Sequence, residues 1–156
     1  MDYPADPGCS SLSDTDESDP LPPQVEVTPG SYKGQTQTGD FVFFDVLTDR
    51  TIRGFRANDL RQECDGPLII YGPLDFGPTP NPIRPDGGFL YQYDGPGSIR
   101  GEKGELFPAT FHIKVAGSIQ GSSAAGTASF SSEFDFEDRH WRCSSGEKTW
   151  TANRLP

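Results

Sequence analysis

The sequence predicts an all-β domain, built as an antiparallel β-sandwich or a closed β-barrel of about eight or nine strands. Three observations carry this. Apolar residues recur with period 2, most clearly in "FPATFHIKVAG", where Phe107, Ala109, Phe111, Ile113 and Val115 fall on one face and Pro108, Thr110, His112 and Lys114 on the other. Turn signals punctuate the chain, and 16 of the 18 glycines lie beyond residue 30. No run of ten residues keeps a helical period free of Gly and Pro. Short antiparallel strands joined by Gly-rich turns are the mark of a sandwich or barrel.

The expected strands follow in order. "SYKGQT" (31–36) leads through Thr38-Gly39 into "DFVFFDVL" (40–47). The latter is apolar on both faces, Phe41 and Phe43 against Val42, Phe44 and Val46, and reads as a central strand covered on both sides. Thr48-Asp49-Arg50 turns the chain into "TIRGFRA" (51–57). "RANDLRQECD" (56–65) is the one place where a turn of helix fits, with strand or loop preferred. "PLIIYG" (67–72) is a strand. The segment 72–88 carries five prolines, which have no amide for a ladder, so it reads as a long loop over the surface or across one end of a barrel. "GFLYQY" (88–93), the 107–117 strand, "AAGTASFS" (124–131) and "EKTWTANR" (147–154) complete the set, with Ser145-Gly146 as the turn before the last strand.

Composition divides the chain in two. Apolar residues make up 33%, below the roughly 45–50% of an average globular chain. The shortfall is concentrated in residues 1–30, which hold seven acids, six of the 15 prolines and no Lys or Arg. That segment reads as an acidic, Pro/Ser-rich disordered linker, and 31–156 as a single β-domain. The net charge of −10 divides into −7 on the linker and −3 on the domain, where 16 acids face 13 bases. A body so nearly balanced, with no basic stripe, excludes a nucleic-acid partner, because phosphate binding needs clustered Lys and Arg. No apolar run is long enough for a transmembrane segment. No leader peptide is visible at Met1, so a secreted reading expects one that has been cut away.

Three cysteines are present: Cys9, Cys64 and Cys143. There is no CxxC, and His140 is the only histidine near a cysteine, so a metal site is not indicated. The expected arrangement is a disulfide between Cys64 and Cys143, with two free buried thiols as the alternative. The bridge would close a loop of roughly 80 residues, contribute on the order of 4 kcal/mol, and hold the last strand with Trp150 and Ala152 facing inward. It would also place the protein in an oxidising compartment, secreted or cell-surface. Cys9 is then a leftover thiol or an intermolecular link.

The order "GSYKGQTQTGDFVFFDV", "IRGFR", a Cys, "GFLY", "IKVAGSIQGSSAAGTASF" and "CSSGEKTWTA" resembles an uncharacterised family of small secreted all-β domains of actinobacteria and related bacteria. The residues that carry the likeness are Gly34 and Thr36, Phe43 and Val46, Cys64, Gly88 and Phe89, Gly126 and Thr127, and Cys143, Gly146, Trp150 and Ala152. It spans about 31–154 and departs in the proline-rich 72–88 insert. What it implies is fold, compartment and disulfide; the family has no established activity.

Candidate chemistry is sparse, and the expectation is no enzyme and no cofactor. His112 lies on the polar face of its strand and His140 in the charged loop "FEDRHWRC". Asp138, His140 and Ser144 have the residue types of an acyl-transfer triad but no nucleophile elbow. Asp135 and Glu137 share one face of an extended run and cannot flank a glycosidic bond. Asp135, Glu137 and Asp138 form a weak Ca²⁺ candidate, and no other metal is expected. Gly97, Gly101 and Gly104 do not precede a helix, which speaks against a phosphate loop.

Aromatic residues offer the candidate ligand surface. Phe89, Tyr91 and Tyr93 share one strand face, either packed in the core or presented as a platform, and Trp141 beside Arg142 could serve likewise. The expected function is a non-enzymatic extracellular module for adhesion, envelope structure or assembly. Its partner would be a protein or carbohydrate surface, with self-association through an edge strand as one form. The alternatives are a lipocalin-like carrier of a small apolar ligand and a carbohydrate-binding accessory domain. An internal cavity lined by Phe41, Phe43, Phe111 and Tyr91 would favour the carrier. A packed interior with an exposed aromatic patch would favour the module.

Overall fold

The computed structural model describes residues 23–101 and 103–156. They form an all-β domain with nine strands: β1 (Gly30–Thr36), β2 (Phe41–Val46), β3 (Thr51–Cys64), β4 (Ile69–Asp75), β5 (Asn81–Pro82), β6 (Gly88–Arg100), β7 (Leu106–Gln120), β8 (Ser123–Phe136) and β9 (Arg139–Arg154). Of the segment 1–30 read as an acidic linker, residues 1–22, Cys9 included, lie outside the described residues, and Gly30 already belongs to β1. Residues that follow position 22 are tied to the domain: Val25 N–H donates to Pro85 O, and Thr28 N–H to Gly121 O.

The strands make one antiparallel sheet in the order β4-β3-β2-β1-β9-β8-β7-β6, with the two-residue β5 beside β3. The sheet curls until β3 also meets β9, which closes β1, β2, β3 and β9 into a small four-stranded barrel. The barrel expectation is met by this closed ring at one side, which continues into a sheet whose terminal strands β4 and β6 stay unpaired with each other. Among the described residues no helix is long and apolar enough to cross a membrane.

Strands β6 to β9 are far longer than the short runs expected, at 13 to 16 residues each. "GFLYQY" is only the first half of β6, which continues through Pro96 to Arg100. Proline is tolerated there because β6 is an edge strand and one of its sides needs no donor. Ser145-Gly146 is not a turn. It is a β-bulge inside β9, where these two residues oppose the single Phe130 and Gly146 takes φ 63°. Ser145 Oγ accepts from Phe130 N–H at 3.0 Å and donates to Gly146 O at 2.8 Å, which fixes the bulge.

β3 resolves the ambiguous 56–65 segment as strand. Its register shifts twice, once beside Gly54 (φ 66°) and once beside Asp59 (φ 55°). Each shift adds a residue, so the inward positions run Ile52, Phe55, Ala57, Leu60 and Gln62. Two bulges bend β3 sharply enough to wrap the small barrel.

The barrel interior is filled. Tyr32, Val42, Phe44, Phe55 and Trp150 are all at most 3% exposed and pack in one cluster, which Phe89 of β6 joins from outside the ring. Trp150 meets Phe44 and Phe55 edge-on, with centroids 5.9 and 5.4 Å away. β2 is covered on one face only. Phe41 and Phe43 point outward, and Lys33 Nζ stands 5.1 and 5.5 Å from their ring centroids. The expected two-sided burial fails because β2 is a barrel stave with one inner face.

One row across the sheet explains two glycines. Trp150 pairs with Gly126, Gly126 with Gly117, and Gly117 with Phe89. The indole lies across this row. A Cβ on Gly126 would strike Ala116 O, lie 2.6 Å from Gly117 Cα and 2.8 Å from Trp150 Cζ2. Because two of those atoms are backbone, no rotamer change relieves the clash. Gly126→Ala is expected to cost about 3 kcal/mol, read as a lowered urea midpoint with unchanged m-value.

Candidate functional site

The strongest site lies in the open seam between the sheet's two ends. It is a cleft of about 790 Å³. Its walls come from β4 (Pro73, Asp75), the proline-rich loop (Phe76, Thr79, Pro80) and β6 (Leu90, Tyr91, Tyr93, Pro96), and Phe111, Ile113 and Phe130 of β7 and β8 line it too. The inward-facing alternation of β7 places Phe111 and Ile113 there, and β4 and β6 flank it with no strand between them among the described residues. The seam continues toward the β6–β7 turn as a second apolar hollow of about 410 Å³ lined by Leu68, Ile70, Ile99, Phe107, Phe134 and Phe136.

Tyr91 anchors the cleft. It is 4% exposed and stacks on Phe76 at 4.4 Å. Its hydroxyl donates between two carbonyls, Ile52 O at 2.8 Å and Thr79 O at 3.0 Å, and so pins the proline-rich loop to the barrel. Asn81 Nδ2 donates to Leu90 O at 2.6 Å and ties the same loop to the β6 edge. Burial pushes the Tyr91 hydroxyl up to about 12 from 10.0. In the unfolded chain the phenol ionises first, so its stabilising contribution is complete below pH 10 and is lost as pH rises toward 12. Urea stability is therefore expected to fall across that window, and Tyr91→Phe to flatten the fall while costing about 1 kcal/mol at neutral pH.

The four aromatic candidates separate. Phe89, Tyr91 and Tyr93 do share one face, but they descend from core to rim, at 2%, 4% and 40% exposed. Phe89 belongs to the Trp150 cluster, with centroids 6.0 Å apart. Tyr93 sits at the cleft rim and donates to Pro96 O at 2.7 Å. Trp141 is remote from the cleft, half-buried under the Arg139 guanidinium at 4.0 Å, with Nε1 donating to Phe136 O at 3.3 Å. Sequence reasoning missed Phe76 as a site residue, because it lies among prolines where periodicity gives no signal. Of the four residues it offered as the lining of an internal cavity, Phe111 and Tyr91 do line this cleft, whereas Phe41 and Phe43 do not.

Cys64 and Cys143 form a disulfide, directly opposite each other where β3 meets β9. Asp135, Glu137 and Asp138 are dispersed around the β8–β9 hairpin. Glu137 and Asp138 occupy its two turn positions at φ 50° and 57°. Among the described residues no group of three His, Cys, Asp or Glu side chains could hold a metal. His140 is in β9, not in a loop: the hairpin is so tight that the ladder resumes at Arg139. Its Nδ1 bonds Asp135 at 2.8 Å and its Nε2 lies 3.5 Å from Glu133, and the Asp135 hydrogen bond chiefly raises its pKa. Ser144 Oγ accepts instead from Gly146 N–H at 3.0 Å. The structure thus pairs His140 with carboxylates and leaves Ser144 in the ladder opposite Ser131, beside the bulge. His112 is exposed and bonds Asp94 at 2.7 Å, the contact that most lowers the Asp94 pKa.

No family model matches the chain, and comparisons with curated proteins and with solved structures find no match.

Proposed function

We propose that the chain is a non-enzymatic binding module of an oxidising, extracellular setting, and that the seam cleft receives an extended segment of a partner protein. The observation that carries this is the cleft itself: about 790 Å³ of aromatic-walled space between two sheet edges that lack a strand partner among the described residues. An incoming strand could hydrogen-bond along β4 or β6 while its alternate side chains enter among Phe76, Tyr93, Phe111 and Ile113. The filled barrel interior supports a module over a lipocalin-like carrier: Phe41 and Phe43 face outward, and Phe111 and Tyr91 line the open seam and not the barrel interior. The disulfide supports the compartment, and so does the resemblance to small secreted β-domains.

Selection of displayed extended peptides on the immobilised chain tests the reading. Enriched peptides are expected to lose about tenfold or more in affinity on Tyr93→Ala. Failure to enrich any peptide, or enriched peptides indifferent to both Tyr93→Ala and Ile113→Asp, overturns it. A small apolar ligand in the same cleft is the second reading, favoured by its aromatic walls. A polarity-sensitive dye that binds there and is displaced by free fatty acid but not by peptide would select it.

A further inference from the structure

A separate hollow opens on the outer face, where the β1–β2 turn ends and β3 and β9 run on to meet at the disulfide. It measures about 440 Å³ and is lined by Asp59, Arg61, Glu63 and Tyr71, by Lys148, and by the Ser145-Gly146 bulge. Bulges of β3 and β9 bound it on two sides, and the cystine fixes their separation. Its framework is therefore rigid strand, not loop.

Tyr71 dominates it. The residue is 66% exposed, the barest large hydrophobic of the described chain, and it pairs across the ladder with Arg61. The charges around it alternate in sign. Arg61 Nη1 is 2.7 Å from Glu63 Oε1, and the Asp40 carboxylate accepts from Thr36 Oγ1 at 2.8 Å. With Asp40, Asp59 and Glu63 against Arg61 and Lys148 the surface is close to balanced and gives no cationic field to draw an anion, but it offers fork-shaped donors and acceptors beside an aromatic face with a polar tip. That combination suits a ligand that is itself flat and apolar on one side and ringed by hydroxyls.

We infer that this hollow binds a neutral oligosaccharide, one pyranose ring lying on Tyr71 while Arg61, Glu63 and Lys148 hydrogen-bond to its hydroxyls. The site is independent of the seam cleft and stands or falls without it. The test is heteronuclear NMR on the full chain titrated with cellohexaose, xylohexaose and mannohexaose at millimolar concentration. At least one of them is expected to shift the amides of Arg61, Tyr71, Gly146 and Lys148. Tyr71→Ala is expected to weaken that binding about tenfold, as loss of a stacking face does, with Tyr71→Phe retaining most of it and Tyr93→Ala all of it. Tyr71 is exposed, so these variants keep the fold. Absence of shifts with all three sugars, tighter binding of an anionic galacturonate oligomer, or undiminished binding by Tyr71→Ala would each overturn the inference.

Discussion

Replacing Cys64 and Cys143 together by serine is expected to lower the unfolding free energy by about 4 kcal/mol. The two residues are 79 apart in sequence, so the bridge removes a large share of the unfolded chain's freedom. The structure adds a local reason. β3 and β9 close the barrel through two residue pairs only, Glu63 with Ser144 and Cys64 with Cys143. Without the bond, that closure rests on this short ladder and on the Asp65 N–H bond to Arg142 O at 2.9 Å beside it. Urea denaturation with and without reductant measures the effect. A loss under about 1 kcal/mol would mean that the ladder and the Ala109–Phe134 cluster around the sulfurs hold the closure unaided. Thiol titration of the unreduced, unfolded chain should find no more than one sulfhydryl, that of Cys9, against three after reduction.

Trp150→Ala is the second large effect, about 4 kcal/mol. The indole is 2% exposed and touches the rings of Phe44, Phe55 and Phe89, which come from three other strands. Truncation empties the centre of the barrel, and the glycines beneath it have no side chains with which to fill the void. Trp150→Phe should cost much less than its volume change suggests. Trp150 Nε1 is buried with no hydrogen-bond partner among the described residues, and phenylalanine removes that unmet donor along with the ring it belongs to. Calorimetry of the two variants checks the order. Equal losses would show that the donor is satisfied in solution.

The strand identities were legible because each inner face alternates: Phe107 to Val115 needed only period 2. Ser145-Gly146 was misread because a residue pair that suits a hairpin turn suits a bulge as well, and only the partner strand distinguishes them. Asn58 and Asp59 hid β3 for a related reason. Two added residues turn a spacing of 2 into an alternation of 3 and 2, close enough to a helical pattern to blur it. Phe41 and Phe43 show the limit of hydrophobicity as a guide to burial, since Lys33 lies over rings that face solvent. The cleft was half visible. Tyr91 and Tyr93 were found from their shared face. That β4 and β6 would end the sheet unpaired depends on how far it curls, and two bulges and a row of glycines decide that together.

The pairing of β1 with β9 has a mechanical meaning. Tyr32 lies opposite Arg154, so the first strand begins beside the end of the last. A load applied between the two ends of the domain would pull this ladder apart like a zipper, one rung at a time, at low force. The rupture would run along β9 and stop at the cystine, because tension between Cys64 and Cys143 passes through the sulfurs. Everything between them would carry no tension, but the seam cleft would lose β3, which pairs with β4 and accepts the Tyr91 hydroxyl at Ile52 O.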